Sequence, residues 1–445
     1  MWRRSVTNSP ASPSSAPREG DEGTEADAQA HRVPAWAPFR FPDYRLYWSG
    51  SLAAMFTNQL TILITTVWLF RETGSASQLG LIGVVQLFVQ IPALLWGGTL
   101  ADQVDRKMLM AATQGVTAIV LALLAVLIVG DALLPWHVYL AMAVMSVTTV
   151  LGSPARSALT AVVVPRTHLM HAVTMNTLTQ QIGSIVAPLT FGAVAIQFGL
   201  TTVFVLTAIT AIPSAIMPLM IRASGRPVGV TSTGSMPRRV WEGFRYMQGH
   251  PILPGLFILD VGMTVFTFYR QMVPALASGL FRGGDGAVSL LTTANSIGAA
   301  AGAFLVLFLT RYRPKGMLVV YATLGFSAAV FLFGTVTTLI LGIVVIVAMG
   351  ALDAVTMTTR QAMMQLTTPD QMLGRTLSLG TLVATTANNF GTIWVGYLAG
   401  GLSIGAFQLG GIGEARTMQL GGVLALICTL VVWRSMRALR EYRYP

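Results

Sequence analysis

Residues 108–129 read MLMAATQGVTAIVLALLAVLIV, a run without a charged side chain, bounded by Arg106-Lys107 before it and Gly130-Asp131 after it. The hydrocarbon core of a bilayer takes roughly 20 apolar residues of helix per crossing, so this run reads as one complete span. Backbone amides find no water in lipid, and the span must therefore be an α-helix that satisfies them internally. Comparable runs lie at 46–70, 78–100, 136–155, 173–196 and 200–221, and again at 252–276, 287–309, 316–336, 338–359, 376–400 and 417–434. The expected fold is an all-α integral membrane protein of twelve transmembrane helices in two six-helix halves.

Composition agrees. Of the 445 residues 53% are hydrophobic and 10% charged, against roughly 25% charged in soluble domains, which excludes a water-soluble fold. Residues 1–38 are rich in Ser, Pro, Ala and Glu, with an acidic patch from Glu19 to Asp27, the composition of a disordered tail. Residues 39–221 are expected to form the first bundle, 222–250 a polar central loop, 251–434 the second bundle and 435–445 a C-terminal tail. No signal peptide is expected.

The net charge of +11 could point to nucleic acid, but the placement of the basic residues points to a membrane surface. With a cytoplasmic N-terminus, 24 of the 28 Lys and Arg fall on the cytoplasmic side. Arg71, Arg270, Arg282 and Arg416 are left on the outer side. Cytoplasmic loops are enriched in these residues, so both termini are expected in the cytoplasm.

Several chemistries are excluded. Cys428 is the single cysteine and the histidines at 31, 137, 168, 171 and 250 are scattered, so neither a disulfide framework nor a metal site is expected. Lys107 follows Arg106 and Lys315 follows Pro314, so neither completes a P-loop. Asp102-Gln-Val-Asp105 could suggest a magnesium site of a membrane transferase, but such sites need clustered carboxylates and the other charges of this loop are basic. No enzyme activity and no cofactor are expected.

The second half echoes the first at an offset of 204 residues: Arg156-Ser-Ala with Pro165 recurs as Arg360-Gln-Ala with Pro369, and Gly98 maps onto Gly302. Repeated halves around a midplane site are a transporter design. Polar residues recur at helical spacing in span 1 (Asn58, Thr61, Thr65), span 4 (Ser146, Thr149, Ser153, Arg156), span 7 (Asp260, Thr264, Thr267, Gln271) and span 10 (Asp353, Thr356, Arg360). Spans 5 and 11 add Thr177, Gln181 and Ser184, and Thr381, Thr385, Asn388 and Thr392. Such residues can simply join helices; stripes on the first helix of each three-helix unit read better as the lining of a shared wet cavity.

Asp260 and Asp353 are the acids placed within apolar spans, where a charge is costly and faces a cavity or a partner. Low dielectric favours a neutral carboxyl, so Asp260 is expected to load and release a proton, with pairing to an arginine as the alternative. Asp353 lies nearer the cytoplasmic end, as a pathway member or a helix anchor. Arg156 and Arg360 sit near the membrane boundary, where they snorkel or serve gating and attract anions. Pro188 and Pro92 are expected kinks.

Gly98-Thr-Leu-Ala-Asp102, followed by Arg106-Lys107, resembles the major facilitator superfamily pattern G-x-x-x-D-[RK]-x-G-R-[RK], with departures at Gln103 and Asp105. The resemblance implies that Asp102 caps or pairs across the cytoplasmic face to latch an outward-open state, with Arg106 helping. Ser153-Pro-Ala-Arg156 through Val164-Pro165, Asn176 and the run Gly183 to Gly192 resemble the bacterial exporter branch that includes the enterobactin exporter and macrolide efflux proteins. The stretch around Pro188 resembles that branch's span-5 antiporter motif, with Ala187 in place of Gly. Many members carry an acid in span 1 where Asn58 is neutral, which shifts any proton coupling onto Asp260.

These likenesses imply a single-chain secondary transporter of the bacterial cytoplasmic membrane. It would export small organic molecules such as drugs or siderophores against protons by rocking its two halves. An importer or an uncoupled facilitator is the alternative.

Overall fold

The computed structural model describes residues 34, 36–223, 236–309, 312–404 and 407–442, with the side chains of 96–103, 166, 236, 370 and 402–409 outside the described set. Most of the expected N-terminal tail, and the side chains of Gly98 and Asp102, therefore lie outside the described residues.

Ten helices among the described residues are long and apolar enough to cross a membrane. One of them, Leu169–Met220, is two helices merged: Gly199 sits at φ 81, a conformation open to glycine, and divides the stretch into 169–198 and 200–220. A further helix, Asp370–Gly400, carries the polar stripe that lowers its hydropathy yet runs for 31 residues inside the bundle. Twelve spans result: 1 (Pro42–Thr73), 2 (Ala76–Gln103), 3 (Arg106–Val129), 4 (Pro135–Val163), 5 (169–198), 6 (200–220), 7 (Leu253–Thr267), 8 (Asp285–Leu309), 9 (Lys315–Phe333), 10 (Leu339–Thr367), 11 (Asp370–Gly400) and 12 (Glu414–Ser435).

The ends of the spans follow from local chemistry. Pro42 and Pro135 open spans 1 and 4, where the missing amide hydrogen would have had no partner. Gly74, at φ 62, closes span 1. The Asp105 carboxylate accepts the Lys107 amide N–H at 2.9 Å and caps span 3. That cap gives a local role to the residue that departs from the superfamily pattern.

Three stretches differ from the expectation. Span 7 does not run unbroken to residue 276: its helix ends at Thr267, a 3-10 turn follows at Arg270–Met272, and a short helix resumes at Val273–Gly279. Pro274 is the physical reason, because a continuous helix would drive its ring into the carbonyl of Arg270. The central loop is not all irregular but contains a helix, Met236–Gly249. After span 11 an antiparallel hairpin pairs Gly401–Ile404 with Phe407–Gly410.

The two halves repeat one packing scheme. Span 2 packs on 4 and span 3 on 6, as 8 packs on 10 and 9 on 12; span 1 packs on 5 and 6, as 7 packs on 11 and 12. The halves meet where span 2 crosses 11 and span 5 crosses 8, a two-fold exchange of equivalent helices. At the first crossing Gly80 faces Gly396; a Cβ on Gly80 would sit 3.1 Å from the Gly396 Cα. Absent side chains let these backbones approach. Gly298 and Gly302 do the same for span 8 against the backbone of span 10 at Val347 and Ala351. Ile119, Leu123 and Val126 of span 3, and Ile427 and Val431 of span 12, are exposed on the outer surface that lipid covers.

His250 joins the central loop to span 7. Its Nδ1 accepts the amide N–H groups of Ile252 and Leu253 at 3.2 and 3.3 Å. Partial burial pushes its pKa below the ordinary 6.5, opposed in part by a hydrogen bond to the Thr367 backbone. The neutral ring is the capping form, so its contribution is complete above the ordinary histidine value and is lost as pH falls through the lower folded-state value. In detergent, the melting temperature of the wild type is expected to fall between about pH 7.5 and about pH 5.5 more steeply than that of His250→Asn, whose amide oxygen caps without titrating. Equal slopes would contradict this role.

A central cavity walled by two charge pairs

A cavity of about 500 Å³ lies between the halves. Span 7 contributes Asp260, Thr264 and Thr267 and, from its broken end, Phe268, Tyr269, Arg270 and Gln271. Opposite are Asp353 and Arg360 of span 10, Gln181 and Ser184 of span 5, and Asn388 of span 11. An adjoining space of about 300 Å³, walled by Gln86, Gln90 and Thr149, shares Phe268, Gln271 and Asn388 with the first. The two therefore adjoin along these three side chains.

The acids of the cavity are paired. Arg360 Nη1 lies 2.5 Å from Asp260 Oδ1 with both side chains under one-fifth exposed, an ion pair without hydrogen-bond alignment. Arg270 Nη2 donates to Asp353 Oδ2 at 3.0 Å in a more open setting. Both pairs tie span 7 to span 10. Removing a charge from water costs several kcal/mol unless a partner offsets it, and each pair brings its own.

Two expectations change here: Arg360 does not snorkel at the boundary but turns into the cavity to meet Asp260, and Arg270 lies in the cavity wall rather than on the outer side, because the break in span 7 turns it inward. Asp260 has the arginine partner given as its alternative, and Asp353 lines the cavity.

The remaining sequence candidates divide. Thr264, Thr267, Gln271, Gln181 and Asn388 line the cavity; Asn58 does not, and its neighbour Gln59 does. Thr61 and Thr65, on the expected face of span 1, are buried against other helices and donate back to the carbonyls of Thr57 and Thr61 at 2.7 and 2.5 Å. Lys107 Nζ donates to the Ile221 carbonyl at 3.0 Å, just past the end of span 6. Arg106 makes no ion pair among the described residues. Pro188 lies inside span 5, and its carbonyl accepts the Ser289 hydroxyl of span 8 at 2.6 Å, a tie between the halves.

Other cavity residues went unread in the sequence. Gln86 and Gln90 are four apart on one face of span 2, a signal available to a periodicity reading; Asn389 Nδ2 donates to Gln90 Oε1 at 2.9 Å across the halves. Asn295 follows Thr292 by three residues in span 8 and donates to the Tyr269 hydroxyl.

The cavity is closed at the end away from the chain termini. There Arg71 Nη2, at the end of span 1, meets Asp285 Oδ1, at the start of span 8, at 2.5 Å; Asp285 is 7% exposed. The glycine crossing of spans 2 and 11 and the Ser289–Pro188 contact lie in the same half of the molecule. Toward the termini the polar stripes come into the open: Thr177 and Thr381 are exposed, whereas Thr392, farther along the stripe of Thr381, is 1% exposed. The structure is therefore the state open to the face that carries both termini.

Comparison with known proteins places this architecture. The profile of the Major Facilitator Superfamily matches residues 47–392. The Enterobactin exporter EntS of Shigella boydii serotype 18 is 28% identical over 416 residues, covering 90% of this chain and 94% of that protein. A crystal structure of a point mutant of the nucleoside transporter NupG superposes with a TM-score of 0.69 at 12% identity, covering 87% of this chain and 99% of that one. That of a D-xylose-proton symporter gives 0.66 at 14% identity, covering 89% and 98%. At these identities the two structures speak to the fold.

Proposed function

The chain belongs to the Major Facilitator Superfamily, and from that membership we propose that it exports small organic molecules across the bacterial cytoplasmic membrane in exchange for protons. The observation that carries this reading is the central cavity, shut at one end by a cross-half ion pair and glycine crossing and open at the other. Rocking the halves about that cavity exchanges the open end. The direction follows the likeness to the Enterobactin exporter EntS, and siderophores and drugs are the cargo classes considered first. The excess of arginine on the termini face supports a cytoplasmic placement of both ends, so the present state receives cargo from the cytoplasm. The spans that wall the cavity belong to one chain, which supports a monomer as the working unit.

Protons enter through the Asp260–Arg360 pair. Neutralising Asp260 breaks the ion pair and leaves Arg360 needing another partner; losing the proton restores it. Binding and coupling thus meet at one contact between spans 7 and 10. In inside-out vesicles, an imposed pH gradient, acidic inside, is expected to drive uphill accumulation of a transported compound, and collapsing the gradient is expected to stop it. Movement indifferent to the gradient would contradict proton exchange and favour a facilitator.

A further inference from the structure

The repeat gives each half one arginine at the same place, Arg156 in span 4 and Arg360 in span 10, but the two are not treated alike. Arg360 has its acid in Asp260. The same offset carries Asp260 onto Phe56, and in the structure it is the neighbouring Met55 that reaches Arg156: Nη1 lies 4.0 Å from the thioether Sδ. No acid faces Arg156 among the described residues.

Its surroundings offer no substitute. Its backbone carbonyl accepts the Tyr47 hydroxyl at 3.2 Å, and that hydroxyl in turn accepts from Thr160 at 2.8 Å and Asn176 at 3.3 Å, so the donors of these nearby groups are engaged with one another; Asn176 Oδ1 is buried without a partner and carries no charge to offset the guanidinium. Arg156 Nε is buried with no hydrogen-bond partner. The two pairs of the second half are neutral, whereas Arg156 has no acid partner among the described residues. An unpaired buried charge costs several kcal/mol, and a structure that keeps one keeps it for a partner that arrives.

The position suits a cargo. Arg156 continues the stripe of Thr149, which walls the smaller part of the cavity, two turns nearer the opening; Met55 lies one turn from Gln59, which lines the larger part. A guanidinium grips an oxyanion with two parallel hydrogen bonds, and Phe268 and Phe326 offer apolar surface deeper in.

We propose that Arg156 is an oxyanion-binding subsite, and that the cargo class is an amphipathic organic anion whose acidic group sits at Arg156 while its apolar body occupies the central cavity. The proposal deepens the export reading and rests on it for the identity of the ligand as cargo. A lipid phosphate presents the same chemistry, and the test separates the two.

The probe is dansylglycine against its neutral amide, binding being followed by fluorescence on the purified full-length protein. The wild type is expected to prefer the carboxylate by at least about tenfold. Arg156→Gln is expected to abolish that preference, and Arg156→Lys to keep part of it. Met55→Asp supplies the acid that the first half lacks; it is expected to abolish the preference while the melting temperature stays at or above that of the wild type, which keeps the test valid should Arg156→Gln fold poorly.

Equal affinity of the wild type for acid and amide, or a preference that survives in Arg156→Gln or Met55→Asp, overturns the proposal. Loss of the preference on adding phosphatidylglycerol but not phosphatidylcholine assigns the subsite to lipid and overturns the cargo assignment. Failure of the export reading is distinct: the carboxylate preference would persist while neither probe moved uphill in vesicles.

Discussion

Asp260→Asn is expected to reduce gradient-driven transport to below about 1% of wild type while exchange of cargo down its own gradient remains measurable. The asparagine keeps the shape and one acceptor, so the cavity survives, but it cannot alternate between a charged partner for Arg360 and a neutral one. Breaking one side of a buried pair leaves the other charge uncompensated, at about 3–5 kcal/mol, so the variant is also expected to melt at a lower temperature. Asp260→Asn with Arg360→Gln removes both charges and separates the two effects. The double variant is expected to regain thermal stability and not to regain coupling. Full gradient-driven activity in the single variant would remove Asp260 from the coupling step.

Cross-linking the closed end is expected to have the second large effect. Arg71 and Asp285 belong to different halves and meet at 2.5 Å, so that end can open only if they part. In a Cys428→Ser background, Arg71→Cys with Asp285→Cys, joined by a short bifunctional thiosulfonate, is expected to fall to under about 5% of its uncross-linked transport and to recover on reduction, since only one of the two states remains accessible. Neutralising Asp285 alone is expected to be far milder, because glycine packing between spans 2 and 11 holds the same end shut. Undiminished transport by the cross-linked protein would mean that this end does not open.

Much of this architecture is legible in the chain because lipid imposes a simple rule: an apolar run near the length of a bilayer crossing becomes a helix. That rule locates the spans, and the 204-residue echo finds the halves. It fails where hydropathy is a poor guide to backbone path. Arg270, near the end of the expected run 252–276, counts with the outer-side arginines, whereas Pro274 interrupts the helix and the break turns Arg270 onto Asp353. Asn58 and Gln59 differ by one helical step, and periodicity alone does not fix the phase that decides which of them meets the cavity.

Partnership is the other blind spot. Asp260 and Arg360 are 100 residues apart in the sequence and Arg71 and Asp285 are 214 apart. Only the three-dimensional approach of span 7 to span 10, and of the end of span 1 to the start of span 8, could reveal those pairs, or reveal that the repeat-mate Arg156 has none. Asp105 illustrates the converse. It is a departure from the superfamily pattern in the sequence and, in three dimensions, a helix cap whose role is local.

The central claim, one cavity reached from one face at a time, is tested most directly by the reactivity of a cysteine placed at Thr292 in the cavity wall. The label is a membrane-impermeant maleimide, applied from each side of vesicles whose protein carries that cysteine alone in the Cys428→Ser background, with cargo or a pH gradient shifting the balance between the two states. The predicted result is that every condition raising reaction from one face lowers it from the other. Reaction rising from both faces together, or no reaction from the far face under any condition, would contradict it.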